Sequence, residues 1–174
     1  MGLTCKVGGA RETFDPAYAV AVADALDNAF GAESEWEGAA PRGFGELSGS
    51  SWAEFQERAV AELGAESLPN LLAMGERGGG VYLPAHVQAV TLPLAAGRRL
   101  RCASLPGLRS ELAELAERWD LPLDDEALND ILRIAQDPND GFVADLPDVL
   151  TFARLALAAN EAVRRDCPLW LVGE

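Results

Sequence analysis

The single histidine, His86, and the three cysteines are the residues from which this chain could build a nucleophile. A neighbouring imidazole can convert the thiol of Cys5, Cys102 or Cys167 into a reactive thiolate. In residues 99–102, however, arginines alternate with Leu100 and Cys102, which places Cys102 on the apolar face of a predicted strand. Cys167 precedes an apolar run. Free cysteines in such surroundings usually pack as small hydrophobic side chains. We therefore predict no catalytic thiol and no enzyme activity.

Clustered carboxylates are the second group that could do chemistry. Asp124, Asp125 and Asp130 could act in acid–base catalysis, because two close carboxylates push one pKa upward. A helix start explains the same residues, since negative charge is favourable there. The segment 137–141 resembles a calcium loop, but its glycine is the fifth residue where the motif requires the sixth. We predict a capped helix and a polar turn, with no metal or cofactor.

The glycine-rich segment 43–49 resembles a dinucleotide-binding loop. That loop must follow a strand, so that the pyrophosphate meets the next helix N-terminus. Residues 37–41 carry glycine, alanine and proline and are not typical of a strand. The sequence therefore predicts a long connection over 31–50 without a nucleotide site.

Basic residues concentrate in one segment of an acidic chain. The whole chain has 14 basic and 28 acidic residues, whereas residues 76–110 have five basic residues and one acidic residue. The basic cluster consists of Arg98, Arg99, Arg101 and Arg109. Guanidinium groups bind carboxylate or phosphate through forked hydrogen bonds, so the cluster is a candidate anion site. The alternative is that these arginines pair with acidic helices of the same protein.

The net charge of −14 argues against nucleic-acid binding, which depends on clustered lysine and arginine. It favours a basic protein partner, because opposite charge steers association. The expected partner-binding residues are Trp36 as an aromatic anchor, Glu114, Glu117, Asp120, Asp124 and Asp125. The most specific form of this hypothesis is an immunity-type antidote that occludes a basic bacterial toxin or nuclease. The alternatives are a small-molecule enzyme or sensor that uses the arginine cluster, and a structural or assembly component.

The compartment is predicted from what the sequence does not contain. No window approaches the roughly 18–20 apolar residues of a membrane span. Residues 1–6 lack the features of a secretory signal, and three cysteines do not suit a disulfide framework. These observations predict a cytoplasmic protein with free thiols and no membrane partner.

The elements that position these residues are predicted to form one α+β domain over residues 1–174. Helical spacing of apolar residues predicts five or six helices, with the helix at 147–165 central and buried. Asp15, before a proline, is the expected N-cap of the first helix. Strands at 2–8, 81–94 and 98–103 are predicted to form a small antiparallel sheet with a turn near 95–97. Pro84 and Pro93 favour positions at the sheet edge.

Overall fold

The computed structural model describes residues 2–31, 39–75, 79–136 and 147–173. Over these ranges it contains seven α-helices and one six-stranded sheet, which confirms a mainly helical α+β fold. The strands are β1 (Gly2–Val7), β2 (Arg42–Ser48), β3 (Gly80–Leu83), β4 (Val90–Pro93), β5 (Arg99–Ser104) and β6 (Leu169–Gly173). The helices are α1 (Ala10–Thr13), α2 (Pro16–Phe30), α3 (Gly49–Leu63), α4 (Pro69–Ala73), α5 (Leu105–Trp119), α6 (Asp125–Gln136) and α7 (Pro147–Arg165). The predicted number of five or six helices is too low.

The sheet is mixed, with the strand order β2-β1-β6-β3-β5-β4. β3 and β5 are parallel, and the other four neighbouring pairs are antiparallel, so the prediction of a small, purely antiparallel sheet is wrong. The β4–β5 hairpin turns at residues 95–97, as predicted. β4, which contains Pro93, lies at an edge, but β3 lies inside the sheet. Pro84 is compatible with that inner position because it follows the last residue of β3 and interrupts no ladder bond.

Helix α7 is the centre of the larger core, as its nearly all-round apolar sequence predicts. Eleven of its nineteen residues are buried. It packs against α3, α5 and α6 and against β1 and β2 of the sheet. These helices and strands surround α7 on several sides, which is why α7 lacks a wide polar face.

The two faces of the sheet bury different clusters. Along β6, Leu169 and Leu171 belong to the α7 cluster, whereas Trp170 belongs to a second cluster with Val22 and Leu26 of α2. This alternation follows from the two-residue period of a strand. The β6–β3–β5 part of the sheet is thus covered on one face by the α7 layer and on the other by α2.

Caps and connections differ from the prediction mainly before α3. The Asp15 side chain accepts a hydrogen bond from the Tyr18 N–H, which confirms it as the α2 N-cap, and Gly31 ends that helix with φ +62°. The predicted connection over 31–50 is wrong for residues 42–48, which form β2. Ser48 caps α3 by accepting from the Ser51 N–H at 3.0 Å, so the helix begins at Gly49, inside the predicted connection.

Candidate functional site

A cleft of about 570 Å³ opens at the point where β3 begins. The pairing of β3 with β5 starts at Val81 and Cys102, and its pairing with β6 starts at Gly80 and Leu171. β5 begins three residues before Cys102, and β6 continues two residues past Leu171. Neighbouring strands lie about 4.8 Å apart, so β5 and β6 flank a gap one strand wide beyond the start of β3.

Three of the four clustered arginines line this cleft. They are Arg98, Arg99 and Arg101, whereas Arg109 lies on α5 and is not among the lining residues. Arg98 and Arg99 are exposed, and no carboxylate of the described residues forms an ion pair with either of them. Arg101 Nη1 donates a hydrogen bond of 2.8 Å to the Met74 carbonyl, which holds that guanidinium against the end of α4. The expectation that Arg98 and Arg99 pair with the protein's own acidic helices is not met in the described residues.

Aromatic rings form another part of the cleft wall. Phe14 contacts Tyr18 and Trp170 edge to face, with ring centroids 4.9 Å and 5.1 Å apart. The Arg98 guanidinium lies over the Tyr18 ring, 5.4 Å from its centroid. Trp170 is fixed because its Nε1–H donates to the Gly8 carbonyl at 2.8 Å. Burial raises the pKa of Tyr18, although the Arg98 charge opposes this, so the phenol is neutral at physiological pH.

The charge of the cleft is opposite in sign to that of the chain. Its lining contains three arginines and one acid, Asp15, which gives a local formal charge of +2 in a chain of net charge −14. One oxygen of Asp15 is already used to cap α2 through the Tyr18 N–H at 3.1 Å. The cleft therefore suits an anion better than a cation.

The predicted acidic partner residues have two different environments. Glu114, Glu117 and Asp120 are exposed, and no described residue forms an ion pair with them. Asp124 caps α6 by accepting from the Ala127 N–H at 2.9 Å. Asp125 accepts from Asn160 at 2.8 Å and from Arg164 at 2.6 Å, so it joins α6 to α7. Trp36 lies outside the described residues.

The cysteines are placed where thiols are unreactive. Cys5 and Cys102 are completely buried in the two different clusters of the sheet. Burial raises the pKa of each of these two thiols to about 12, and it also raises that of Cys167. His86 is exposed in the connection after β3. The geometry does not support a thiolate–imidazole pair.

The remaining candidate motifs gain no support within the part of the chain that the structure describes. Asp130 pairs with Arg133 on the same helix at 3.1 Å. The segment 43–49 is mostly the strand β2 itself and not a loop after a strand. The segment 137–141 lies outside the described residues, and no group of three potential metal ligands occurs within them. None of the described helices is long and apolar enough to cross a bilayer.

Tyr18, Phe14 and Trp170 are the site residues that the sequence did not reveal. In the sequence, Tyr18 is one of the apolar residues of the helix that Asp15 caps, and Trp170 is one of the apolar residues that follow Cys167. No signal in the sequence connects them to Arg98, because the contact is made by folding. Comparisons with protein-family models, with curated proteins and with solved structures find no match for this chain.

Proposed function

We propose that this chain is a non-catalytic binding protein that docks a basic protein through exposed carboxylates of α5 and of its C-cap. The acidic surface consists of Glu114, Glu117 and Asp120. Glu114 and Glu117 are three residues apart on α5 and are therefore neighbours on its surface, and Asp120 follows as the C-cap of the helix. The most specific form of the proposal is an immunity-type antidote whose partner is a basic toxin or nuclease.

The observation that carries the proposal is the unpaired state of this acidic surface in the described residues. Like charges three or four residues apart on a helix destabilise it by a few tenths of a kcal/mol. Arg118 lies between Glu117 and Asp120 in the chain, yet no ion pair joins it to the acidic surface. A cationic partner surface would relieve this repulsion and would be attracted to it from a distance.

The largely buried carboxylates of Glu161 and Asp148 support a binding function because they already serve the fold. The Glu161 carboxylate accepts from Arg42 at 3.1 Å, and Arg58 pairs with Asp148 at the same distance. Burial keeps the cysteine thiols protonated. The groups that remain available for contact are therefore mainly on the surface.

The proposal is tested by co-expressing the chain with the product of its neighbouring gene and measuring their association by titration calorimetry at increasing salt. We expect binding that weakens as salt rises, because the attraction is between exposed charges. The variant Glu114→Gln, Glu117→Gln, Asp120→Asn should bind at least tenfold more weakly than the wild type. The matched control is Glu54→Gln, Glu57→Gln, Glu62→Gln, which removes the same charge from exposed positions on α3.

The outcomes separate the proposal from its alternatives. An equal loss in both variants would mean that only net charge matters, which contradicts a defined docking surface. Absence of association, or binding that strengthens with salt, would overturn the proposal. That result would favour a structural or assembly component in which the acids serve solubility.

A further inference from the structure

We infer that the cleft between β5 and β6 binds a small organic anion, in which a carboxylate or phosphate is attached to a flat apolar body. This inference goes beyond the proposed protein docking, because the cleft is built from α2, β3, β4, β5 and β6 and uses no residue of α5. Either function can be present without the other.

The shape of the cleft follows from the short length of β3. Because β3 has only four residues, β5 and β6 extend past its start and leave a gap between them. Gly79 and Gly80, which line the cleft there, have no side chains to fill it. A volume of about 570 Å³ lies in the range of small-molecule sites, roughly 300–1,000 Å³.

The charge of the cleft selects an anion. Arg98 and Arg99 are adjacent in the chain, both are exposed, and both line the cleft. Neither guanidinium group forms an ion pair with a carboxylate of the described residues. Guanidinium groups donate forked hydrogen bonds to carboxylate or phosphate, so both side chains offer donors to an oxyanion bound in the cleft. The Arg101 guanidinium is held by the Met74 carbonyl, so this part of the lining is already fixed.

The aromatic part of the cleft selects the body of the ligand. Phe14, Tyr18 and Trp170 line the same cavity, and Phe14 contacts each of the other two rings edge to face. Trp170 is already buried, whereas Phe14 and Tyr18 are only half-buried, and a bare inorganic ion would not cover their exposed ring surface. A flat apolar group attached to the anion would cover them, as is usual in sites with apolar walls and a few fixed polar groups.

The test uses four probes that separate the charge from the ring. They are 2-naphthyl phosphate, 2-naphthoate, 2-naphthol, which lacks the anion, and inorganic phosphate, which lacks the ring. Calorimetric titration of the full chain at low salt should show binding of at least one naphthyl anion. Its affinity should exceed those of naphthol and inorganic phosphate at least tenfold. The tighter of the two naphthyl anions identifies phosphate or carboxylate as the preferred group.

Variants then locate the bound probe. Arg98→Ala, Arg99→Ala should weaken binding at least tenfold. The matched control Arg118→Ala, Arg133→Ala removes two exposed arginines that do not line the cleft and should leave the affinity unchanged. Circular dichroism and the melting temperature show whether each variant remains folded. Tyr18→Leu keeps the charges and removes the aromatic ring. It should weaken the binding of the naphthyl anion but leave the binding of inorganic phosphate unchanged.

Three results would overturn the inference. The first is that neither naphthyl anion binds. The second is that the Arg98, Arg99 variant binds as tightly as the wild type or loses no more affinity than the control. The third is that inorganic phosphate binds as well as naphthyl phosphate, because the aromatic wall would then have no role.

Discussion

Glu111 on α5 accepts two hydrogen bonds from Asn70 on α4, one from the backbone N–H at 2.8 Å and one from the side-chain amide at 2.7 Å. Its other carboxylate oxygen accepts from the Leu71 N–H at 2.7 Å. The N-cap position of α4 is Leu68, which has no side-chain oxygen to accept these bonds. The first turn of a helix leaves N–H groups without intrahelical partners. A glutamate some forty residues away therefore caps α4.

The first prediction is that Glu111→Gln destabilises the protein by about 2 kcal/mol. In this variant the amide oxygen can still accept the two bonds from Asn70, but the NH₂ group then faces the Leu71 N–H, so one buried donor loses its partner. The melting temperature should fall by roughly 4–8 °C for a chain of this size. Glu114→Gln is the matched control, because that side chain is exposed one turn away on the same helix, and it should have little effect. Equal melting temperatures for the two variants would contradict the capping role.

The second prediction concerns the pH dependence of the same side chain. Burial raises the pKa of Glu111, and the bonds from Asn70 and Leu71 offset part of that rise. A carboxyl whose folded pKa exceeds its unfolded value binds protons better in the folded state. Its contribution to stability is therefore complete below the unfolded pKa of about 4.3 and is lost as the pH rises through the folded pKa.

This linkage is measured by comparing the wild type with Glu111→Gln, which cannot titrate at that position. The wild type should exceed Glu111→Gln in free energy of unfolding by less and less as the pH rises from about 4. The reason is that only the wild type loses the contribution of Glu111. Urea unfolding of both proteins over this range gives the two curves. A difference that widens with rising pH would mean that hydrogen bonding, and not burial, dominates the pKa.

The helices were predictable because their signals are local. Apolar spacing and the Asp15 N-cap identify α2, and the all-round apolar run identifies α7. β2 was missed because Gly43 and Gly45 interrupt it and only Leu47 in it is buried, so no alternation is visible. The parallel pairing of β3 with β5 could not be predicted either, since strand pairing joins distant parts of the chain.

The candidate site was predictable only where its residues are close in the sequence. Arg98, Arg99 and Arg101 appear as a basic cluster because they lie on one short strand and its preceding turn. Tyr18 and Trp170 join them only because α2 packs over the sheet and β6 pairs next to β3. Arg109 was grouped with the cluster because it is near in sequence, but α5 carries it away from the cleft lining.

The third prediction separates steric overlap from backbone strain at the start of β3. A Cβ at Gly80 would lie 2.6 Å from the Arg101 carbonyl oxygen and would also overlap the Met74 sulfur. A Cβ at Gly79 would meet no atom within 4 Å, although its φ of +91° is also unfavourable for other residues. Gly80→Ala should therefore cost more stability than Gly79→Ala, which we expect to cost about 1–3 kcal/mol from strain alone. Chemical denaturation of both variants measures the difference, and equal losses would contradict the close packing of β3 on β5.

The fourth prediction is that the thiols of Cys5 and Cys102 are protected in the folded protein. Both side chains are fully buried, and burial raises their pKa to about 12, so neither access nor thiolate formation is available at pH 8. Cys167 is also buried, at 4% exposure, and its Sγ–H donates to the Arg165 carbonyl at 3.2 Å; the positive charge of Arg165 partly offsets the rise in its pKa. Titration with a disulfide reagent should therefore label Cys167 first, with Cys5 and Cys102 reacting only at the rate of unfolding.

In guanidinium all three thiols should react at once, and peptide mapping after brief native labelling identifies which residue was modified. Fast native labelling of Cys102 would show that the β5 face is open to solvent, contrary to the packing of α2 over the sheet.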